Sequence, residues 1–204
     1  MRGRIAVVAV SLPYKARTAG IPEDPRQSLD QFMLTRTAES FCALYKVLYA
    51  QVRRYFLARG VDETVAEELA QNVLFIVYER IGDLREKELF YGWLFKIARN
   101  ELLQHVRQRQ RRSRIAQFEP LNEAVVAKMA TEMDSTLTSR FYEWMTHLEP
   151  SGREIIMLRF VDGLSYEELA EALALPLGTV KWRIFNAKKK LAQIITLGSS
   201  AALW

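Results

Sequence analysis

Apolar residues recur every third or fourth position along most of this chain, a spacing that predicts helices almost throughout. From about Leu29 to Ala58 the stripe runs through Phe41, Leu44, Leu48, Val52 and Tyr55, and Gly60 breaks it. Asp62 or Thr64 is placed to cap a second helix, "DETVAEELAQNVLFIVYERI". Its acidic first turn complements the helix dipole, and Val65, Leu69, Val73 and Ile76 face inward. Beyond the charged loop "GDLREKE", a third helix spans about Leu89 to Arg112, with Phe90, Trp93, Leu94 and Ile97 on one side and Phe95, Lys96 and Arg99 turned away. Between Ser113 and Thr138 no stripe is sustained, so a linker with at most a short helical piece is expected there. Helical spacing returns at Phe141, Trp144, Met145 and Leu148; "EPSGRE" interrupts it, and "REIIMLRFV" forms another helix.

The stretch "GLSYEELAEALALPLGTVKW", beginning at Gly163, has sharper punctuation. Ser165 and Glu168 fit a capping box, in which each side chain satisfies a backbone donor of the other. This helix is expected to end near Ala174, and the next to begin around Pro176, since proline suits a first helical turn. Two helices joined so tightly read as a helix-turn-helix. In the second of them Val180, Ile184, Ala187 and Leu191 fall on one face, expected to pack inward. The opposite face carries Trp182, Asn186 and Lys189, flanked by Lys181, Arg183, Phe185, Lys188 and Lys190. Cations for phosphates and amide or aromatic groups for base edges suit an element laid into a DNA groove.

Charge supports a polyanionic partner. The 204 residues include 29 Lys and Arg against 24 Asp and Glu, a net charge of +5, with a pI near 9.4; an anionic membrane surface satisfies the same arithmetic. The one cysteine, Cys42, excludes an internal disulfide or a cysteine-cluster metal site, and its apolar neighbours lead us to expect a small buried hydrophobe. No apolar run reaches the roughly 18 residues of a membrane-spanning helix. At the N-terminus "MRGRIAVVAVSL" superficially resembles a secretory signal without a clear cleavage site, so residues 1–28 are expected to be a disordered extension. His105 and His147 lie far apart, and no phosphate-binding glycine loop or catalytic triad pattern appears.

The densest unusual chemistry of the first half is "LFYGWLFKIARNELLQHVRQRQRR". Its aromatic groups read either as core or as platforms for unpaired bases beside arginines. The arginine strip from Arg107 to Arg114 reads either as a phosphate contact or as a solvated helix end.

"LEPSGREIIMLRFVDGLSYEELAEALALPLGTVKWRIFNAKKKL" resembles the fourth region of bacterial sigma factors of the extracytoplasmic-function group, and "EELAQNVLFIVYERI" with the third-helix segment resembles that group's second region. The likeness covers about Leu29 to Leu191, linker excepted, and its pairing of "WLFKIARN" with a helix-turn-helix is specific. It implies an all-α fold of two small helical domains joined by a flexible linker: region 2 over 29–112, a linker over 113–138, region 4 over 139–195 and a tail over 196–204. It further implies that Glu67, Glu68, Gln71 and Asn72 meet the clamp of core RNA polymerase. Tyr91, Trp93, Phe95, Lys96, Arg99 and Arg107 would hold the melted minus-10 element. Thr179, Lys181, Trp182, Arg183, Phe185, Asn186 and Lys189 would read the minus-35 duplex. Core polymerase, promoter DNA and an anti-sigma factor are the partners this implies, in the cytoplasm, with no catalytic site, metal or cofactor.

Three positions depart from the family's habit: Ala174 stands where glycine is common in the turn, Trp182 where a small polar residue is usual, and Asn72 where an acidic residue is common. A free-standing helix-turn-helix regulator would explain the C-terminal half but leave "WLFKIARN" and the polar face near Gln71 unused. A nucleic-acid-processing enzyme would need a carboxylate pair that the sequence does not point to.

Overall fold

The computed structural model describes residues 25–112 and 136–201. Among them are eight α-helices: α1 (Pro25–Thr35), α2 (Ala38–Leu57), α3 (Glu63–Arg80), α4 (Phe90–Arg112), α5 (Thr136–Thr146), α6 (Pro150–Ile156), α7 (Tyr166–Leu173) and α8 (Leu177–Ala201). Short 3-10 turns over Ile81–Asp83 and Lys87–Leu89 shape the loop before α4, and a π-helical turn over Met157–Val161 extends α6. The expected linker over 113–138 lies outside the described residues up to 135, and α5 already begins at Thr136.

The single N-terminal helix expected from Leu29 to Ala58 is two. Arg36 takes a left-handed conformation (φ 53°), and the Thr37 hydroxyl then accepts from the Ser40 backbone N–H at 3.3 Å, starting α2 afresh. Apolar spacing persists across this break because Leu29 and Phe32 of α1 pack into the same core. The first helix also starts earlier than expected, at Pro25, so Pro25–Ser28 are not part of an extension. At the far end, α8 runs to Ala201, through most of the expected tail.

Helix α2 packs between α1 and α3, and α3 against α4. Their shared interior contains Leu44, Leu48, Val52 and Tyr55 from α2, Leu69, Val73, Leu74 and Val77 from α3, and Phe90 and Leu94 from α4. The inward face of α3 is shifted from the expected one: Leu69 and Val73 are buried as expected, together with Ala66, Ala70, Leu74 and Val77, whereas Val65 and Ile76 are only half-buried. Val65 still packs against this core from its edge. Cys42 is exposed, contrary to expectation, because the buried side of α2 runs through Ser40, Leu44, Val47 and Leu48.

In the C-terminal half, Arg153 of α6 donates to the carbonyls of Met145, Thr146 and Leu148, satisfying orphan acceptors at the end of α5. Met145, Leu148, Ile155, Ile156, Leu158, Leu164 and Leu169 form the centre, into which α8 inserts Val180, Ile184 and Ala187. Burying side chains of this size stabilises by about 1.5–3 kcal/mol each for the larger ones. The two halves also touch: α7 lies along α4, and the buried residues form one continuous cluster.

Candidate nucleic-acid and polymerase interfaces

The turn between α7 and α8 is built from its ends inward. The Ser165 hydroxyl accepts from the Glu168 N–H at 3.1 Å, and the Glu168 carboxylate accepts from the Ser165 N–H at 2.7 Å, completing the capping box. Helix α7 ends on Ala174 in the left-handed region (φ 51°, ψ 49°), with the Leu175 N–H donating to the Ala170 carbonyl at 3.0 Å. An alanine in this conformation costs roughly 1 kcal/mol relative to glycine, so the tight turn is kept here against a local strain. Pro176 then accepts the first bond of α8, from the Val180 N–H at 3.1 Å.

With Val180, Ile184 and Ala187 held inside, the outer side of α8 presents Lys181, Trp182, Phe185, Lys188 and Lys189. Trp182 is 64% and Phe185 66% exposed, and neither ring stacks on another among the described residues. Thr179, Arg183 and Asn186 are half-buried at the edges of this face.

The α4 candidates do not all share one face. Tyr91 and Trp93 are half-buried beside Phe90, with ring centroids 5.4 and 6.2 Å from it. Arg99 is half-buried and Arg107 exposed, the latter on an open side shared with Asn100, Leu103, Gln104 and Arg111. Phe95 is corrected: it is 2% exposed, its ring 5.3 Å from that of Tyr55. Helix α4 packs on α2 and α3 on one side and on α7 on another, so it buries both Leu94 and Phe95, and no base can reach the latter. Lys96 donates to the Glu171 carboxylate of α7 at 2.9 Å, so the helix-turn-helix half occupies part of the face proposed for DNA.

On α3, Glu68, Gln71 and Asn72 are exposed, while Glu67 is half-buried and accepts from Arg53 at 3.3 Å. Phe75 continues the exposed row one turn on, at 62% exposure, with Tyr78 at its end. The periodicity of "NVLFIVY" places Phe75 off the inward stripe.

Between the halves lies a buried ionic cluster. Arg59, just past α2, donates to the Tyr55 carbonyl at 3.0 Å, to Glu154 at 3.2 Å and to Asp162 at 3.1 Å, and its guanidinium lies over the Tyr55 ring, 3.5 Å from the centroid. Burial works against the charge on Arg59, but Glu154, Tyr55 and Asp162 outweigh it and hold the guanidinium protonated. Burial raises the Asp162 carboxyl above its ordinary value, with Arg59 pulling it back down.

Comparison with known proteins places these elements. Residues 43–112 match the family model "Sigma-70 region 2", and residues 139–191 match "Sigma-70, region 4". An RNA polymerase sigma-H factor of Pseudomonas aeruginosa is 29% identical over 81% of this chain and 93% of its own length. An ECF RNA polymerase sigma-E factor of Haemophilus influenzae is 26% identical over 81% of this chain and 94% of its own. Among solved structures, CnrH in complex with the cytosolic domain of CnrY shares the fold with a TM-score of 0.57 at 21% identity, covering 85% of this chain and 99% of that one. RpoE bound to the anti-sigma factor NepR, from Bartonella quintana, aligns with a TM-score of 0.56 at 22% identity, covering 78% and 98%.

Proposed function

Because this chain belongs to the extracytoplasmic-function sigma factors of bacterial RNA polymerase, whose role is promoter recognition in transcription initiation, we propose how its own residues divide that work. The exposed row Glu68, Gln71, Asn72 and Phe75 on α3 meets the polymerase clamp, with Glu67 at its edge. Tyr91, Trp93, Lys96, Arg99 and Arg107 on α4 hold the unpaired minus-10 strand, by stacking and by phosphate contacts. Thr179, Lys181, Trp182, Arg183, Phe185, Asn186 and Lys189 on α8 enter the major groove of the minus-35 duplex. The observation that carries this division is the pair of exposed faces off the apolar stripes, on α3 in one matched region and on α8 in the other.

The bond-forming chemistry belongs to the polymerase in this reading, and the chain acts in the cytoplasm without a catalytic site. Among the described residues no helix is long and apolar enough to cross a membrane. Since Glu171 of α7 is paired with Lys96, the region 4 half moves off α4 when that face takes DNA. An anti-sigma factor is a further partner, by likeness to the relatives solved with one.

The polymerase contact is tested by Glu68→Ala combined with Gln71→Ala. Both side chains are exposed, so folding is expected to be unchanged, while affinity for core polymerase falls by about tenfold or more, the loss typical of one or two interface residues worth over 1 kcal/mol. Unchanged affinity in a titration against core polymerase would remove α3 from the clamp interface.

A further inference from the structure

The outer face of α8 is unusual for an element that reads a polar surface: two large aromatic side chains, Trp182 and Phe185, stand exposed on it among lysines. They lie three residues apart, on one side of the helix, within its first turns, where a recognition helix contacts base edges. The phenyl ring of Phe185 neither donates nor accepts a hydrogen bond. Pressed against the guanine, cytosine or adenine edge in the major groove, it would strip water from polar atoms and return nothing. Only thymine offers an apolar group there, its C5 methyl. The indole of Trp182 is subject to the same argument over most of its area, with one N–H left to donate to a thymine O4 or a purine N7. A helix rise of about 1.5 Å per residue sets the two side chains about 4.5 Å apart along the axis, close to the roughly 3.4 Å between base pairs. Lys181, Lys188 and Lys189 flank the rings and suit the phosphates on either side.

We propose that Trp182 and Phe185 read thymine methyl groups on neighbouring base pairs of the minus-35 duplex, so that this chain chooses its promoters partly by an apolar contact. The inference rests on the reading of α8 as the minus-35 helix.

Uracil differs from thymine only by the missing methyl, which makes it the direct probe. Holoenzyme assembled from core RNA polymerase and the full chain is used to select bound duplexes from a pool of randomised sequence, and each thymine of the enriched upstream element is then replaced by uracil. Binding is expected to fall about fourfold for each contacted methyl, the ratio that corresponds to burying one such carbon. With Trp182→Ala or Phe185→Ala, the uracil effect at the corresponding position should vanish. An enriched upstream element that tolerates uracil everywhere, or variants that keep the wild-type uracil sensitivity, would overturn the inference and leave the promoter-reading role intact. If no upstream element is enriched at all, α8 does not read the minus-35 duplex, and the inference falls with that assignment.

Discussion

Arg59→Met is expected to destabilise the protein by about 3–5 kcal/mol, the usual cost of removing one member of a buried ion pair. The substitution leaves Asp162 with no cation within reach of the bond it now makes at 3.1 Å, in a site where its side chain is 1% exposed. It also removes the donors to Glu154 and to the Tyr55 carbonyl and uncovers the face of the Tyr55 ring. Most of the cost is the penalty of a lone buried carboxylate, not the strength of the original pair. Pairing the change with Asp162→Asn should therefore recover a large part of it, because a neutral amide is far cheaper to bury. Chemical denaturation of the single and double variants measures this. A single variant as stable as the parent would mean that the cluster contributes nothing to holding the halves together.

Gly92→Ala is expected to have the second largest effect, about 1–3 kcal/mol from overpacking. A Cβ at position 92 would stand 2.5 Å from the Glu168 carbonyl oxygen and 2.9 Å from its Cα. Those are backbone atoms of α7 and cannot swing aside as a side-chain tip would, so the two helices must separate. Each half retains its own apolar interior, and the strain is relieved most cheaply by parting α4 from α7. The expected readout is faster amide exchange along α7 and a larger radius of gyration, with the helix content unchanged. Unaltered exchange and size would show that α7 does not lie against Gly92 in solution. Parting the helices also frees Lys96 from Glu171, which is the rearrangement that DNA binding on α4 requires.

Much of the fold could be read from the sequence wherever a stripe met clear punctuation. Ser165 and Glu168 marked the start of α7, Pro176 the start of α8, and Gly60 the end of α2, because each residue does a local job independent of what packs around it. The break at Arg36–Thr37 was not legible: an arginine in a left-handed conformation carries no sequence mark, and the apolar spacing continued across it. Phe95 was misplaced for a different reason. A helical wheel allows one buried side, but α4 is covered by α2 and α3 and also by α7, and Phe95 lies against Tyr55 of α2 although it is off the apolar stripe. The Arg59 cluster was equally out of reach, since Arg59, Glu154 and Asp162 are brought together only by the packing of the two halves. The faces of α3 and α8 were more legible, as polar and cationic residues off an apolar stripe; Phe75 also lies off that stripe, but its apolar side chain gives by its type no sign that it faces solvent.

Run-off transcription with purified bacterial core polymerase on genomic fragments, with and without this chain, shows whether the chain directs initiation. Discrete new start sites are expected that appear only when the chain is present and disappear with the Glu68→Ala, Gln71→Ala variant. Transcription that the chain leaves unchanged, although it still binds duplex DNA by itself, would contradict the account and leave a helix-turn-helix protein that works without polymerase.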